Sequence, residues 1–187
     1  MRIIAGKHRS RILKEFRGRD VRPTSDRARE ALFNIIRFRL EGCSFLDLYC
    51  GTGAIGIEAI SRGAAKVTFV DNAAESVKLT KENLATLKET GYVVKLDALS
   101  FVSSVGEKFD VIFLDPPYDV SATDVLSAIA EEGILGEGGL VVYEHKEDRA
   151  GEEIAGLKRT DTRKYGIAVF EFYEAAGEND GAAKEIL

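Results

Sequence analysis

Three glycines in the stretch LDLYCGTGAIGIEAISRG, residues 46–63, lie between an apolar segment and a helical pattern. Gly51, Gly53 and Gly56 have the spacing G-x-G-x-x-G, which lets a backbone turn tightly and approach a ligand closely. Asp71 lies twenty residues after Gly51, where a carboxylate can accept hydrogen bonds from ribose hydroxyls. The glycines alone are a weak signal, because a tight turn without a ligand needs them too. They therefore predict either such a turn or a nucleoside site.

A second acid, Asp97, ends the next strand pattern, where its carboxylate can accept from the exocyclic amine of an adenine. Open α/β sheets bind ligands at the carboxyl ends of their strands. Ligand-type positions at the ends of three consecutive strands therefore favour a cofactor that contains adenosine. NAD and S-adenosylmethionine both contain it, and the first half of the chain does not separate them.

The segment FDVIFLDPPYD, residues 109–119, places two prolines directly after a strand pattern. Prolines lack the backbone donor, so the carbonyls of Asp115 and Pro116 become rigid acceptors. The Asp115 side chain is a further acceptor, and the ring of Tyr118 can stack on a base. Such a set holds an amine attached to a planar ring, for which a hydride-transfer enzyme has no need. This segment therefore favours S-adenosylmethionine and a methyl transfer to an exocyclic amine.

Short apolar runs alternate with helical patterns from residue 44 onward, which predicts a parallel sheet with helices on both faces. Residues 157–174 contain two strand patterns without a helix between them, which predicts an antiparallel hairpin at one sheet edge. Upstream, residues 2–16 predict a β-hairpin, and a helix follows after Pro23, capped by Thr24, Ser25 or Asp26. Further on, Gly63 is expected to follow the end of the helix after the glycine loop, and Ser121 to cap a later helix.

Charge is distributed unevenly along the chain. Residues 1–40 hold twelve Lys/Arg and four Asp/Glu, a net charge of +8, so the rest carries −13 of the total of −5. A basic arm on an acidic body predicts a polyanionic partner for the arm. The arginines of the first helix are expected to lie largely off its buried face, and the phosphate contacts are expected at Arg9, Arg11, Arg22, Arg27 and Arg29.

Composition narrows the class of protein. The chain has 187 residues, 45% of them hydrophobic, which is enough for one compact domain with a sizeable core. No apolar run reaches membrane-spanning length, and no secretory signal is visible at the amino terminus. Cys43 and Cys50 have neither disulfide-framework nor metal-ligand spacing, so no metal site is expected and a cytoplasmic protein fits best.

The glycine loop with FLDPPY resembles class I S-adenosylmethionine-dependent methyltransferases that modify exocyclic amines. The blocks RPTSDRAREALFNII and RIIAGKHRSR resemble one branch of that class, the RsmD-type guanine-N2 methyltransferases of bacterial 16S ribosomal RNA. The resemblance covers about residues 1–174. It implies a Rossmann-like, seven-stranded, mostly parallel sheet whose last hairpin supplies the antiparallel strand.

The resemblance also implies roles for individual residues. Asp47, Gly51 and Gly53 would lie near the methionine part of the cofactor. Asp71 would hold the ribose, with Asn72 beside it, and Asp97 would bind adenine with the Ala98 backbone. Asp115, Pro116 and Tyr118 would form the catalytic set.

The same resemblance implies a division of the chain and a set of partners. Residues 1–40 would be the RNA-binding extension, residues 41–176 the methyltransferase domain and residues 177–187 a disordered tail. A monomer acting on 16S ribosomal RNA or on a small-subunit assembly intermediate is expected. The alternatives are an adenine-N6 methyltransferase of DNA or RNA, a non-catalytic RNA-binding or assembly factor, and, third, an NAD oxidoreductase.

Overall fold

A computed structural model of the chain describes residues 1–16, 25–117, 120–146 and 153–177. Seven strands form one sheet, and in chain order they are β1 Ser44–Leu48, β2 Lys66–Asp71, β3 Tyr92–Lys95, β4 Phe109–Leu114, β5 Leu135–Lys146, β6 Leu157–Tyr165 and β7 Ala168–Ala175. Their order across the sheet is β3-β2-β1-β4-β5-β7-β6. Strands β1 to β5 are parallel, and β7 pairs antiparallel with both β5 and β6. The predicted sheet and its terminal hairpin are confirmed.

Helices cover both faces of the sheet and connect most of its parallel strands. They are α1 Asp26–Ile35, a 3₁₀ turn Arg37–Arg39, α2 Ala54–Ser61, α3 Ala74–Leu87, α4 Ala98–Val102 and α5 Thr123–Glu131. One core cluster contains residues of α1, α2 and α3, and the other contains residues of α4 and α5. Within the described ranges, no helix is long and apolar enough to cross a membrane. The same ranges contain no group of three or more His, Cys, Asp or Glu placed to bind a metal ion.

Two helix ends agree with the sequence predictions and one differs. The Ser25 hydroxyl accepts the N–H of Ala28 at 3.2 Å and caps α1. Gly63 has φ +110° directly after the last turn of α2, as expected of a residue that ends a helix. At α5 the cap residue is Ala122 rather than Ser121, and the Ser121 hydroxyl accepts the N–H of Thr123, the first residue of the helix, at 3.2 Å.

Arg29 is buried, so the prediction that it lies off the buried face of α1 is wrong. Only 1% of its surface is exposed. Its guanidinium donates to Asp26 at 2.9 Å and to the backbone carbonyl of Arg2. The amino-terminal segment therefore covers a second side of α1, which the pattern of the helix alone does not show.

The amino-terminal segment, residues 1–16, is fixed to the body by side chains of α2. An antiparallel bridge joins Arg2 and Ile12, as the predicted hairpin requires. The buried carboxylate of Glu58 accepts the N–H groups of Ile4 at 2.8 Å and Ala5 at 3.0 Å, and the Nε of Arg62 donates to it at 2.7 Å. A buried anion with three donors is well satisfied, so Glu58 holds the segment in place.

We predict that Glu58→Ala lowers the free energy of unfolding by about 3 kcal/mol, because it leaves Arg62 and two peptide N–H groups without their acceptor. Urea unfolding followed by circular dichroism measures this change. Glu30→Ala is the matched control, since Glu30 is exposed on α1, and it should change stability by about 0.5 kcal/mol or less. Equal effects of the two substitutions would show that Glu58 does not anchor the segment.

Candidate active site

Three aspartates lie together because parallel strands end at the same edge of a sheet. Asp47 lies in β1 opposite Phe113 of β4, Asp71 is the last residue of β2, and Asp115 follows β4 directly. The charges of Asp71 and Asp115 both raise the pKa of Asp47, which places them within electrostatic reach of it. The acids that the sequence singled out on β1, β2 and β4 therefore share one site.

The glycine loop turns between β1 and α2. Gly53 has φ +77°, and a Cβ there would lie 2.8 Å from Cγ2 of Thr80, so a side chain is excluded on both counts. Gly51 has φ +54°, and the nearest atom outside the loop to a Cβ built there is Cε2 of Phe16, at 4.0 Å. The loop thus packs on α3 at Gly53 and faces open space at Gly51.

Asp71 joins the glycine loop to the start of α3. One carboxylate oxygen accepts the N–H of Gly51 at 2.9 Å, and the other accepts the N–H of Ala73 at 2.8 Å. The side chain is half-buried, and each oxygen still has a lone pair for a further donor. Two backbone donors thus fix a carboxylate that can accept from a pair of hydroxyls.

Asp47 lies beneath the loop rather than at its surface. It is 1% exposed, and one of its oxygens accepts the N–H of Gly56 at 2.9 Å. Burial raises its pKa to about 8, although the hydrogen bond from Gly56 acts in the opposite direction. Asp47 therefore supports the start of α2 from beneath the glycine loop.

Asp115 stands at the mouth of the site with Pro116 after it. Asp115 keeps part of its surface exposed to solvent. The protein around its carboxyl group nevertheless removes enough water to raise the pKa to about 7. Pro116 is buried and Pro117 is exposed. The side chain of Asp115 and the Pro116 carbonyl are acceptors next to one another along the chain. Tyr118 lies outside the described residues, so its stacking role stays a prediction.

The expected adenine region has a carboxylate with apolar neighbours. Asp97 caps α4 by accepting the N–H of Ser100 at 3.1 Å, and the N–H of Ala98 belongs to the first helical turn, which has no internal acceptor. Leu96 and Leu99 are more than a third exposed beside it. Exposed leucines on both sides of an acid suit a flat heterocycle, and the sequence analysis missed them. Asn72 is exposed between β2 and α3.

Asn83 of α3 is a further residue that sequence reasoning missed. It is buried, and its Nδ2 donates to the carbonyls of Thr52 at 2.9 Å and Lys14 at 3.2 Å. Its Oδ1 accepts the N–H of Lys14 at 2.8 Å. One amide therefore joins the amino-terminal segment to the glycine loop. Its three backbone partners lie 31 or 69 residues away in sequence, and so no local pattern marks it.

The predicted phosphate contacts do not lie together. The turn that carries Arg9 and Arg11 packs where α2 and α3 end, because the backbone of Lys7 bonds Ser61 and the side chain of His8 bonds Glu89. Both helices begin at the glycine-loop edge, so this turn lies at the opposite edge of the sheet.

The remaining predicted phosphate contacts lie elsewhere or do not fit the role. Arg27 is exposed on α1, and Arg22 lies outside the described residues. Arg29 is buried and bonded within the protein, so it does not fit a phosphate contact.

The donor and acceptor set fits an adenosine-containing methyl donor. Asp71 offers two oriented oxygens, Asp97 lies between exposed leucines, and the loop at Gly51 is open. The side chain of Asp115 and the carbonyl of Pro116 are further acceptors at the same sheet edge. Fold and site together define a class I S-adenosylmethionine-dependent methyltransferase.

Comparisons with known proteins place the chain within that class. A family model described as Conserved hypothetical protein 95 matches residues 1–174. Proteins named ribosomal RNA small subunit methyltransferase D are 36% identical in Haemophilus influenzae, over 93% of this chain and 93% of that one, and 33% in Escherichia coli, over 96% and 93%. The solved structure of Escherichia coli yhhF has a TM-score of 0.85 and 29% identity, over 94% of this chain and 97% of that one. The chain belongs to this family of RsmD-type methyltransferases.

We predict that Asp71→Ala weakens binding of S-adenosylhomocysteine at least tenfold, because it removes the oriented acceptors and frees the N–H of Gly51. Isothermal titration calorimetry measures the affinity, and circular dichroism establishes that the variant is folded. Asp110→Ala is the control, since this aspartate bonds Ser44 at the opposite end of β4. Unchanged affinity in a folded Asp71→Ala variant would remove this residue from the site.

Proposed function

We propose that the protein transfers a methyl group from S-adenosylmethionine to the N2 amine of a guanine in bacterial 16S ribosomal RNA. The relatives named above support the RNA class, and the site supports the chemistry. The observation that carries the proposal is the pair of acceptors at Asp115 and Pro116, placed next to a glycine loop and an oriented Asp71 carboxylate.

The residues that would hold the cofactor are Asp71 for the ribose, Asp97 with Leu96 and Leu99 for the adenine, and the Gly51 loop for the methionine part. When bound, S-adenosylmethionine supplies an electrophilic methyl group on a sulfonium.

Asp115 and the Pro116 carbonyl accept the two hydrogens of the target amine. A guanine amine shares its lone pair with the ring and is therefore a weak nucleophile. Two fixed acceptors orient the nitrogen and stabilise the positive charge that develops on it. Positioning supplies most of the rate enhancement, for which effective molarities reach about 10⁵ M or more. The methylated nitrogen then loses a proton readily, so no strong general base is needed.

The target base must leave any stack before it can reach Asp115. Unstacking costs a few kcal/mol. We propose that Tyr118 offsets part of that cost by stacking on the base, by roughly 1–3 kcal/mol.

The exposed arginines of residues 1–40 form the second part of the proposal. Arg9, Arg11 and Arg27 are exposed, and Arg22 belongs to the same basic stretch. Because Arg9 and Arg11 lie at the far edge of the sheet, we propose that they bind RNA remote from the target base. The substrate is 16S RNA, free or in a small-subunit assembly intermediate, and a monomer acts on it in the cytoplasm.

Methylation of 16S RNA by the purified protein tests the function directly. The protein is incubated with labelled S-adenosylmethionine and 16S RNA from cells that lack its gene, and the digested nucleosides are separated by mass spectrometry. We expect label in N2-methylguanosine. Label in N6-methyladenosine would favour the adenine alternative, and cofactor binding without transfer would favour the non-catalytic one.

We predict that kcat/KM for methyl transfer rises with pH and levels off above about 7. The carboxylate form of Asp115 is the acceptor, its pKa is raised to about 7, and so the active fraction grows as the proton leaves. Asp115→Ala should lower kcat/KM by about 10²-fold or more, while the affinity for S-adenosylhomocysteine stays unchanged.

Asp115→Asn is the matched variant for this prediction. Its amide keeps one acceptor oxygen and does not titrate, so measurable transfer should remain and the rise around pH 7 should be lost. Wild-type turnover in Asp115→Ala, or an unchanged rise in Asp115→Asn, would show that Asp115 does not hold the amine.

A further inference from the structure

A lysine-lined groove runs along α3 next to β3, which is the outermost strand on one side of the sheet. The cavity has a volume of about 440 Å³ and is lined by Ala74, Val77, Lys78, Lys81, Glu82, Ala85 and Lys95. Its lining combines small apolar side chains with three exposed lysines. Lysines beside small apolar side chains suit a polyanion that also presents the carbon atoms of sugars.

The charge of the groove is opposite to that of the body. Its lining carries Lys78, Lys81 and Lys95 against one acid, Glu82. Glu82 accepts from the Nζ of Lys14 at 2.8 Å and lies 4.0 Å from the Nζ of Lys78. The hydrogen bond from Lys14 lowers its pKa, so Glu82 stays ionised and offsets part of the charge of the three lysines. The groove is therefore a positive region on a body whose residues 41–187 carry −13.

The groove begins beside the candidate cofactor site. Ala74 is the first residue of α3 and lies three positions after Asp71, and Lys95 ends β3 two positions before Asp97. From Ala74 to Ala85 the helix rises about 16 Å, enough for more than one phosphate. Arg9 and Arg11, in contrast, lie where α3 ends. The three lysines therefore lie between the turn that carries Arg9 and Arg11 and the candidate cofactor site.

We propose that this groove binds the phosphate backbone of the RNA that flanks the target nucleotide. The inference rests on the function proposed above and adds a second RNA contact on the body itself. Flexible lysine ammonium groups suit phosphates as point charges, and their aliphatic stems with the alanines of α3 suit the sugar edge. Each neutralised phosphate releases counterions, so the groove contributes to the salt dependence of RNA binding.

The test compares two triple variants that lose the same charge. Lys78→Ala, Lys81→Ala and Lys95→Ala are combined in the groove variant. The control combines Lys158→Ala, Arg163→Ala and Lys164→Ala on β6, the strand at the other end of the strand order from β3. Binding of protein-free 16S RNA is titrated between 50 and 200 mM salt, and S-adenosylhomocysteine affinity is measured for each protein.

We expect the groove variant to flatten the slope of log K against log salt by about 2, at roughly 0.7 for each phosphate. The control should keep the wild-type slope, and both variants should keep the cofactor affinity. Equal slopes for the two variants would overturn the proposal, as would a loss of S-adenosylhomocysteine affinity in the groove variant alone.

Three further outcomes identify which proposal has failed. If the groove variant binds protein-free RNA with the wild-type slope but binds small-subunit particles more weakly, the occupant is an acidic protein surface and the proposal is wrong. If wild-type protein transfers no methyl group to 16S RNA, the proposed function fails. If it does transfer one and the slopes of both variants equal that of wild type, only the groove is excluded.

Discussion

Parallel alignment of β1, β2, β3 and β4 is the constraint on which the candidate site depends. Each strand ends at the same edge, and each of the acids found there comes from a different strand. Asp71 and Asp115 are far apart in sequence. They lie on either side of Asp47 only because β1 pairs with both β2 and β4. Two neighbouring parallel strands cannot be joined by a tight hairpin, so helices carry the chain back and the glycine loop opens the first of them.

Crowded carboxylates give that edge its chemical character. Burial is the main cause of the raised pKa of both Asp47 and Asp115, and their neighbours' charges raise that of Asp47 further. Protonated carboxyls at neutral pH are weaker acceptors than carboxylates, and a nearby positive charge favours the ionised form. The edge is thus suited to groups that carry or develop positive charge, such as a sulfonium or an amine under attack. A nicotinamide cofactor, whose pyrophosphate is anionic, fits it poorly.

Much of the fold could be predicted from local patterns, because strand alternation, helix periodicity and turn residues each act over a few positions. The acids at the strand ends could be predicted for the same reason. Residues whose roles depend on partners far away in the sequence could not be predicted from local patterns. Arg29 resembles a surface arginine until the carbonyl of Arg2 is placed against it, and Asn83 resembles an ordinary helix residue until Lys14 and Thr52 meet it. The exposure of Leu96 and Leu99 beside Asp97 likewise follows from the fold and not from a local pattern.

The docking of residues 1–16 also determines when the protein can finish folding during its synthesis. Residues of the segment that bond the body have their partners much later in the sequence. Ile4 bonds Glu58, 54 residues later. Lys14 bonds Asn83, 69 residues later, and His8 bonds Glu89, 81 residues later. The amino-terminal segment therefore cannot dock until α2 and α3 have both been synthesised. Docking then encloses the guanidinium of Arg29 against the carbonyl of Arg2, while Arg9 and Arg11 stay exposed.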